Sequence, residues 1–508
     1  MDNEIVAVQQ FTPALGPLDF VIVGLGVGLL FVIAFVKGRG EKDTRDFFLG
    51  GRRVPTLVAC LSFVATEVSA VTIVSVPATG FDENWQYLQF FIGSAASRIL
   101  IAFLFIPVFY KYNCTTIYEF LKHRFGPQTQ YAGSAFFFIT RLLASGVRLY
   151  AACLGVSMIV GWTLAQTVLL FTIISILFIA YGGIKAVVWN GAYETLVFYG
   201  AGLAVIVWLL LNVNGGVAEA WRVAGEAGRL SLFKFDFNLN NPTTFWAGTA
   251  NAFFVGLAVF GTDQELMQRL LTVETRKSSQ KALIFTILAA LPITVIYLAI
   301  GTLIFVFYQQ HPSAAGPAQA KEIVSHFTVN YLPVGLKGLI LTAIVLASID
   351  SPLSSLSSSF VTDIYRPLIR RGATERHYLW VSRFGVVGFG IVLAGVALAC
   401  APVENVLWFA FQVVSVTGGS TLGIFLLGFL TKRRSNRANV VAMVAGALCM
   451  LALLLLSKED LFGKDTGKVI DLAWSWLIVI GTALTFVLGL LLAPVFDRKE
   501  TEGVGEGK

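Results

Sequence analysis

Charge is what this chain has least of: only 13% of its 508 residues are Asp, Glu, Lys or Arg. A soluble domain of this length carries about twice that fraction. Histidine is nearly absent too, with four in all, at positions 123, 311, 326 and 377, each in a loop or at the end of an apolar run. No His/Cys cluster or facing pair of acids offers metal or acyl chemistry, so the chain reads as no enzyme. The five cysteines, Cys60, Cys114, Cys153, Cys400 and Cys449, are an odd, scattered set placed mostly inside apolar runs. That excludes a disulfide framework and a zinc site and leaves them as packing residues. Strict apolar/polar alternation is also missing, which excludes a membrane β-barrel.

What the chain has in excess is apolar length. Hydrophobic residues make up 56% of it and the mean hydropathy is +0.76, more than any single soluble core requires. Runs long enough to cross a hydrocarbon layer of roughly 30 Å recur along nearly the whole sequence. They place membrane spans near 17–37, 54–80, 87–110, 130–160, 163–183, 184–213, 244–270, 280–308, 334–361, 377–400, 403–430, 437–456 and 471–495. The fold class is therefore an all-α polytopic membrane protein of about thirteen helices in one transmembrane domain, 1–508.

An odd number of spans puts the termini on opposite sides. Most lysines and arginines fall in one set of alternate loops, such as Lys37–Arg53, Arg269–Lys281 and Lys432–Arg437. The positive-inside rule then sets the N-terminus outside and the C-terminus in the cytoplasm of a cell-membrane protein. This asymmetry and the lipid bilayer account for the net charge of +7 with no nucleic acid as partner. The opening MDNEIVAVQQ has no basic n-region, so the first span is expected to stay as a helix. After Pro494 only VFDRKETEGVGEGK follows, a cytoplasmic tail (496–508) with no expected output domain, which disfavours a solute sensor.

Two spans look interrupted. The second holds Thr66, Glu67, Ser69 and Thr72 at mid-depth, and the ninth holds Asp350 and Pro352 followed by a ladder of serines. Polar residues with a breaker at that depth are tolerated only where backbone lines a cavity or site. Carriers commonly build such sites from inverted repeats with broken helices. Spans two to six and seven to eleven, five each, fit that plan. Arg98, Arg141 and Arg148 lie inside the third and fourth spans. Either one of them binds an acidic solute, as guanidinium does well, or they pair with Glu67 and Glu194 as internal struts. Asn251 and Gln412 are further polar candidates, open to a second reading as helix–helix hydrogen bonds. The segment KYNCTTIYEFLKHRFG, 111–126, reads as an amphipathic helix on the inner surface.

Several stretches, taken in order, resemble the sodium:solute symporter family: DFFLGGRRVP, YGGIKAVVW, GTDQELMQRLLTVET, SIDSPLSSLSSSFVTDIYRP and GGSTLGIFLLGFLTKR. The resemblance spans roughly residues 18–435. It implies a LeuT-like core of five-plus-five inverted repeats, 54–213 and 244–430, with one helix (17–37) before it and two (437–495) behind. It also implies sodium-driven uptake of a small polar organic solute, sugar, amino acid or carboxylate, by a chain that works as a monomeric unit. A proton-coupled carrier of the same fold, or a sensor, is the alternative.

The resemblance places the sodium ion between the second and ninth spans, on the carbonyls of Ala65, Val68 and Ile344 and the hydroxyl of Ser348. Ala347 stands where a second hydroxyl is usual. A second ion in some members uses an acid in the sixth span, where this chain has Gly191, while Asp350 occupies a hydroxyl position. Asp350 with Ser351 could complete a cation site, or Asp350 could take a proton. Solute ligands are implied at Glu67, Ser69 and Thr72, with Arg148, Asn251, Phe260 and Gln412 as further candidates. Val259 and Phe260 replace the paired large aromatics of sugar carriers, and the carboxylate-binding arginine of sialic acid carriers falls near Ala144.

Overall fold

The computed structural model describes residues 15–238, 240–312, 316, 322–349, 352–400, 406–456 and 473–505. Every regular element among them is helical. Among the described residues ten helices are long and apolar enough to cross a membrane, or twelve when two sharply bent pairs are counted. The fifth and sixth spans form one helix of 49 residues, Leu164–Asn212, folded back at Gly183, whose φ of 48° and ψ of −147° suit only glycine. The loops expected on the outer side carry short helices at Gly216–Glu226 and Ile323–Asn330.

Spans two, three, seven and eight pack as one group, and small residues set their spacing. A Cβ on Gly301 would sit 1.9 Å from the Pro77 carbonyl oxygen, and one on Gly93 would sit 2.1 Å from that of Thr249. Such contacts leave room for backbone alone, the usual way helices approach closely in lipid. The first span is tied to the ninth by Asp19, fully buried, whose Oδ1 accepts from the amides of Gly335 (2.7 Å) and Gly338 (2.8 Å). A carboxylate at those amides, where the ninth span begins, also suits the positive end of its dipole.

Among the described residues two spans are interrupted, the second, where the sequence pattern suggests a break, and the seventh, where it does not; the break expected in the ninth at Asp350 lies outside the described residues. The second runs as Thr56–Glu67 and Ala70–Asp82. The ninth runs as Leu336–Ile349 and Leu353–Ser359, continuing as a π-helix over Phe360–Ile369. The seventh bends by 60° between Phe245–Gly261 and Gln264–Leu271, where the Asp263 side chain caps the new helix through the Glu265 amide at 2.8 Å. The segment expected as a surface helix is instead wedged into the protein. Its helix is only Tyr118–Arg124, with Tyr118, Phe120 and Leu121 buried. The Ile117 amide donates to Gln264 Oε1 (3.0 Å) and the Tyr118 hydroxyl to the Thr262 carbonyl (3.1 Å), so the bend in the seventh span receives the segment.

Candidate functional site

At the break of the second span, Val68 (φ −83°, ψ 92°) and Ser69 (φ −89°, ψ 170°) are extended. No glycine or proline forces this. The helix simply stops, and the carbonyls of its last turn, Ala65 among them, lose their helical amide partners. In the ninth span, one turn before Pro352, Ser348 donates its hydroxyl to the Ile344 carbonyl at 2.5 Å. Ser69 at the break of the second span and Ser348 and Pro352 of the ninth line one small cavity together with Ser145, Arg148 and Ser175, and Thr172 closes it. The hydroxyls of Ser145 and Thr172 are buried and meet no partner among the described residues. Arg148 donates to the Thr66 carbonyl at 3.3 Å, placing a cation at the carboxyl end of the broken helix.

Behind the break lies an ion pair. Arg98 is fully buried and donates to Glu67 Oε1, to Ser94 Oγ (3.3 Å) and to Thr286 Oγ1 (3.1 Å). The Phe260 ring lies 4.7 Å from its guanidinium carbon and packs edge-on against Phe63. Glu67 therefore has Arg98 as its partner, and Phe260 covers that pair. Farther along the same spans, Arg141 contacts both Asp263 and Glu265, the latter at 2.5 Å. Arg269 donates to Ser62 Oγ (3.1 Å) and to the Glu265 carbonyl oxygen (2.9 Å). All four charged groups of the Arg141 and Arg269 cluster are at least nine-tenths buried. Burial of such charges is tolerable only in pairs.

Of the residues expected to bind the cation or solute, the structure gathers Ser69, Arg148 and Ser348 at the cavity and Glu67 and Phe260 behind it. Ala65 and Val68 flank the break and are buried. Thr72 lies on the next turn, half-buried. Asn251 stands apart: its amide donates to the Ser475 carbonyl at 2.8 Å and so joins the seventh span to the thirteenth. Asp350, Ser351 and the Gln412 side chain lie outside the described residues.

The sequence pattern missed other polar groups. Asp363, fully buried, accepts from Thr116 (2.7 Å), Gln130 (2.8 Å), Ser134 (2.9 Å) and Ser359 (2.6 Å). Its one legible signal is the serine four residues earlier, on the same helix face. Ser145, Thr172 and Ser175 look like ordinary small residues in a membrane helix, and only the shared cavity distinguishes them.

An all-helical chain of apolar spans, one of them broken beside a hydroxyl-lined cavity, has the architecture of a secondary carrier of the LeuT-like class. A solved substrate-bound, outward-open Na+-coupled sialic acid symporter superposes with a TM-score of 0.84 over 95% of this chain and 98% of that one, at 24% identity. The nucleobase-cation-symport-1 transporter Mhp1, closed around a hydantoin, superposes at 0.58 over 89% and 95%, at 13% identity. The chain belongs to the sodium:solute symporter family, whose model matches residues 47–446. Among its relatives are the sodium/sialic acid symporter SiaT of Proteus mirabilis, 27% identical over 94% of both chains, and the sodium-dependent multivitamin transporter of Oryctolagus cuniculus, 30% identical over 84% of this chain and 68% of that one. It is thus a transporter, not an enzyme.

Proposed function

We propose that this chain is a sodium-driven symporter that carries a small polar organic solute into the cell across the plasma membrane. The observation that carries the reading is the cavity shared by Ser69 at the break of span two and Ser348 and Pro352 of span nine. Sodium is a hard cation and takes oxygen ligands. The carbonyls of Ala65 and Val68 at the stopped helix, the Ile344 carbonyl and the Ser348 hydroxyl supply them. Ser348 already directs its proton to Ile344, which turns its lone pairs toward the cavity. Asp350 and Ser351 complete this cation site in the proposal.

The solute is assigned to Ser69, Thr72 and Arg148, with Glu67 and Phe260 shaping its floor and Gln412 as a further ligand. Asn251 supports the site through its tie to the thirteenth span. The breaks in spans two and seven, the first members of two runs of five, support the repeats 54–213 and 244–430. The lysine and arginine asymmetry supports an outside N-terminus and a cytoplasmic C-terminus. Each chain encloses its own cavity, which supports a monomeric transport unit. Sodium and solute, both bound best by one conformation, then favour each other by the same factor.

The test is thermal stability of the purified protein against sugars, amino acids and small carboxylates, each in sodium and in potassium, since ligands of the folded state raise it by mass action. A solute shift seen only with sodium, and lost in Ser348→Ala, is expected. Shifts indifferent to sodium, sensitive to pH and lost in Asp350→Asn would replace sodium by a proton as the coupling ion.

A further inference from the structure

On the side of the molecule where Arg141 joins spans four and seven, a connector from Gly38 to Leu49 crosses the ends of several spans. Its start is pressed on the turn between spans five and six: a Cβ on Gly38 would lie 2.3 Å from Gly182 Cα. Its helix, Thr44–Leu49, buries Phe47, Phe48 and Leu49 completely or nearly so. The Thr44 hydroxyl donates to Glu375 Oε2 (2.8 Å), and Arg366 donates to the other oxygen of that carboxylate (2.7 Å). Gln268, in the inner half of the broken seventh span, donates to the Phe48 carbonyl (2.8 Å). The connector thus touches the turn of spans five and six and spans seven, nine and ten at once. That is the position of a lid.

Glu41 sits in the middle of this lid. Its side chain is 2% exposed, and no described residue donates to either carboxyl oxygen within hydrogen-bond distance. Oε2 lies 3.7 Å from Arg383 of the tenth span, too far for a hydrogen bond. Oε1 rests against Gly183, where a Cβ would come within 2.5 Å of it. A buried carboxylate without donors is far less stable than a buried carboxylic acid. The charged groups that face it are Arg383 from span ten, Lys185 from the turn, and Asp46 from the lid's own helix. Burial pushes the Glu41 carboxyl up to about 8; Arg383 and Lys185 pull it down, and Asp46 pushes it further up.

We propose that residues 38–49 form a proton-dependent lid over the inner mouth of the carrier, latched when the Glu41 carboxyl is packed, uncharged, between Arg383 and the Gly183 turn. When the lid lifts, Glu41 enters water and becomes an ordinary carboxylate that gives up its proton. Packing therefore takes up one proton. The latch is at full strength below the carboxyl's value in water, weakens about tenfold per pH unit above it, and is spent at about pH 8. An alkaline cytoplasm frees the lid and an acidic one holds it. Calling this face cytoplasmic rests on the orientation proposed above; the latch itself does not.

Amide hydrogen exchange of the full-length protein in lipid nanodiscs tests this, corrected for intrinsic rates and read in sodium and in potassium. Protection of the 38–49 peptides is expected to fall about tenfold per pH unit between about pH 6 and about pH 8, in either salt. In Glu41→Gln, a neutral isostere, protection should not depend on pH. In Arg383→Gln the fall should extend to higher pH, because the charge that favours ionisation is gone; a merely structural arginine would lower protection at every pH alike. A wild type without the fall, a Glu41→Gln that keeps it, or an unmoved end-point in Arg383→Gln overturns the latch. Because potassium serves as well as sodium, failure of sodium coupling leaves the result intact.

Discussion

Arg98 is fully buried, and the acceptors for its two terminal nitrogens lie inside the protein. Glu67, Ser94 and Thr286 provide three, from spans two, three and eight. Arg98→Gln would strand the Glu67 carboxylate at the break, and a cut buried pair costs about 3–5 kcal/mol. Thermal unfolding should show that loss. The double variant Glu67→Gln/Arg98→Gln should recover much of it, as a double-mutant cycle reports. Asp363 is the opposite kind of buried acid, with no cation among its described partners yet saturated by four donors. Asp363→Asn turns one acceptor oxygen into a donor aimed at other donors, so a loss of about 2 kcal/mol or more is expected in the same assay. The sequence made Glu67 visible because a charge at mid-span is conspicuous, and it left open whether Glu67 served solute or arginine. Asp363 stayed hidden because it lies at the end of an apolar run, where acids are common and solvated.

Helices of this chain were legible wherever twenty apolar residues run together, because lipid demands that length and tolerates nothing else. Breaks were legible only where a polar group stood inside such a run. The seventh span shows the limit: TDQELMQR looks like a span ending in solvent, yet Asp263, Gln264, Glu265 and Arg269 are all buried and helix resumes after a 60° bend. Nothing local distinguishes charges that meet water from charges that meet each other; Arg141, distant in sequence, decides it. Glycines behave similarly, since the pattern cannot say which face a neighbour. Gly301→Ala would press a methyl to 1.9 Å from the Pro77 carbonyl, whereas Gly155 faces open space. Gly301→Ala is therefore expected to lower the melting temperature well beyond the effect of Gly155→Ala. Equal effects would mean that spans two and eight can part without cost.

For the molecule as a whole, in the proposed orientation, the inner mouth is closed by charge. Arg141 of span four grips Asp263 and Glu265 of span seven, and Gln268 holds the 38–49 connector over them. A carrier exposes its site to one side at a time, and what a ligand can shift is bounded by its differential affinity for the two states. Removing the Arg141 grip takes stability from the inner-closed state alone. In Arg141→Gln the fraction competent to bind sodium from outside should fall, and the apparent sodium constant should rise by the inverse of that fraction, tenfold for about 1.4 kcal/mol. The proposed sodium ligands Ser348 and Ala65 are not among the hydrogen-bond and ion-pair partners described for the cluster, so the affinity of the proposed site itself should not change. Sodium titration followed by thermal shift reads the constant. Alkylation of Cys60, only 1% exposed in the inner half of span two, reads the opening. Slower sodium-free alkylation in the variant than in the wild type would mean that the cluster holds the mouth open. A weakened sodium constant with unchanged alkylation would place Arg141 at the ion instead. Faster alkylation that sodium reverses, at higher concentration than the wild type needs, is what a gate predicts.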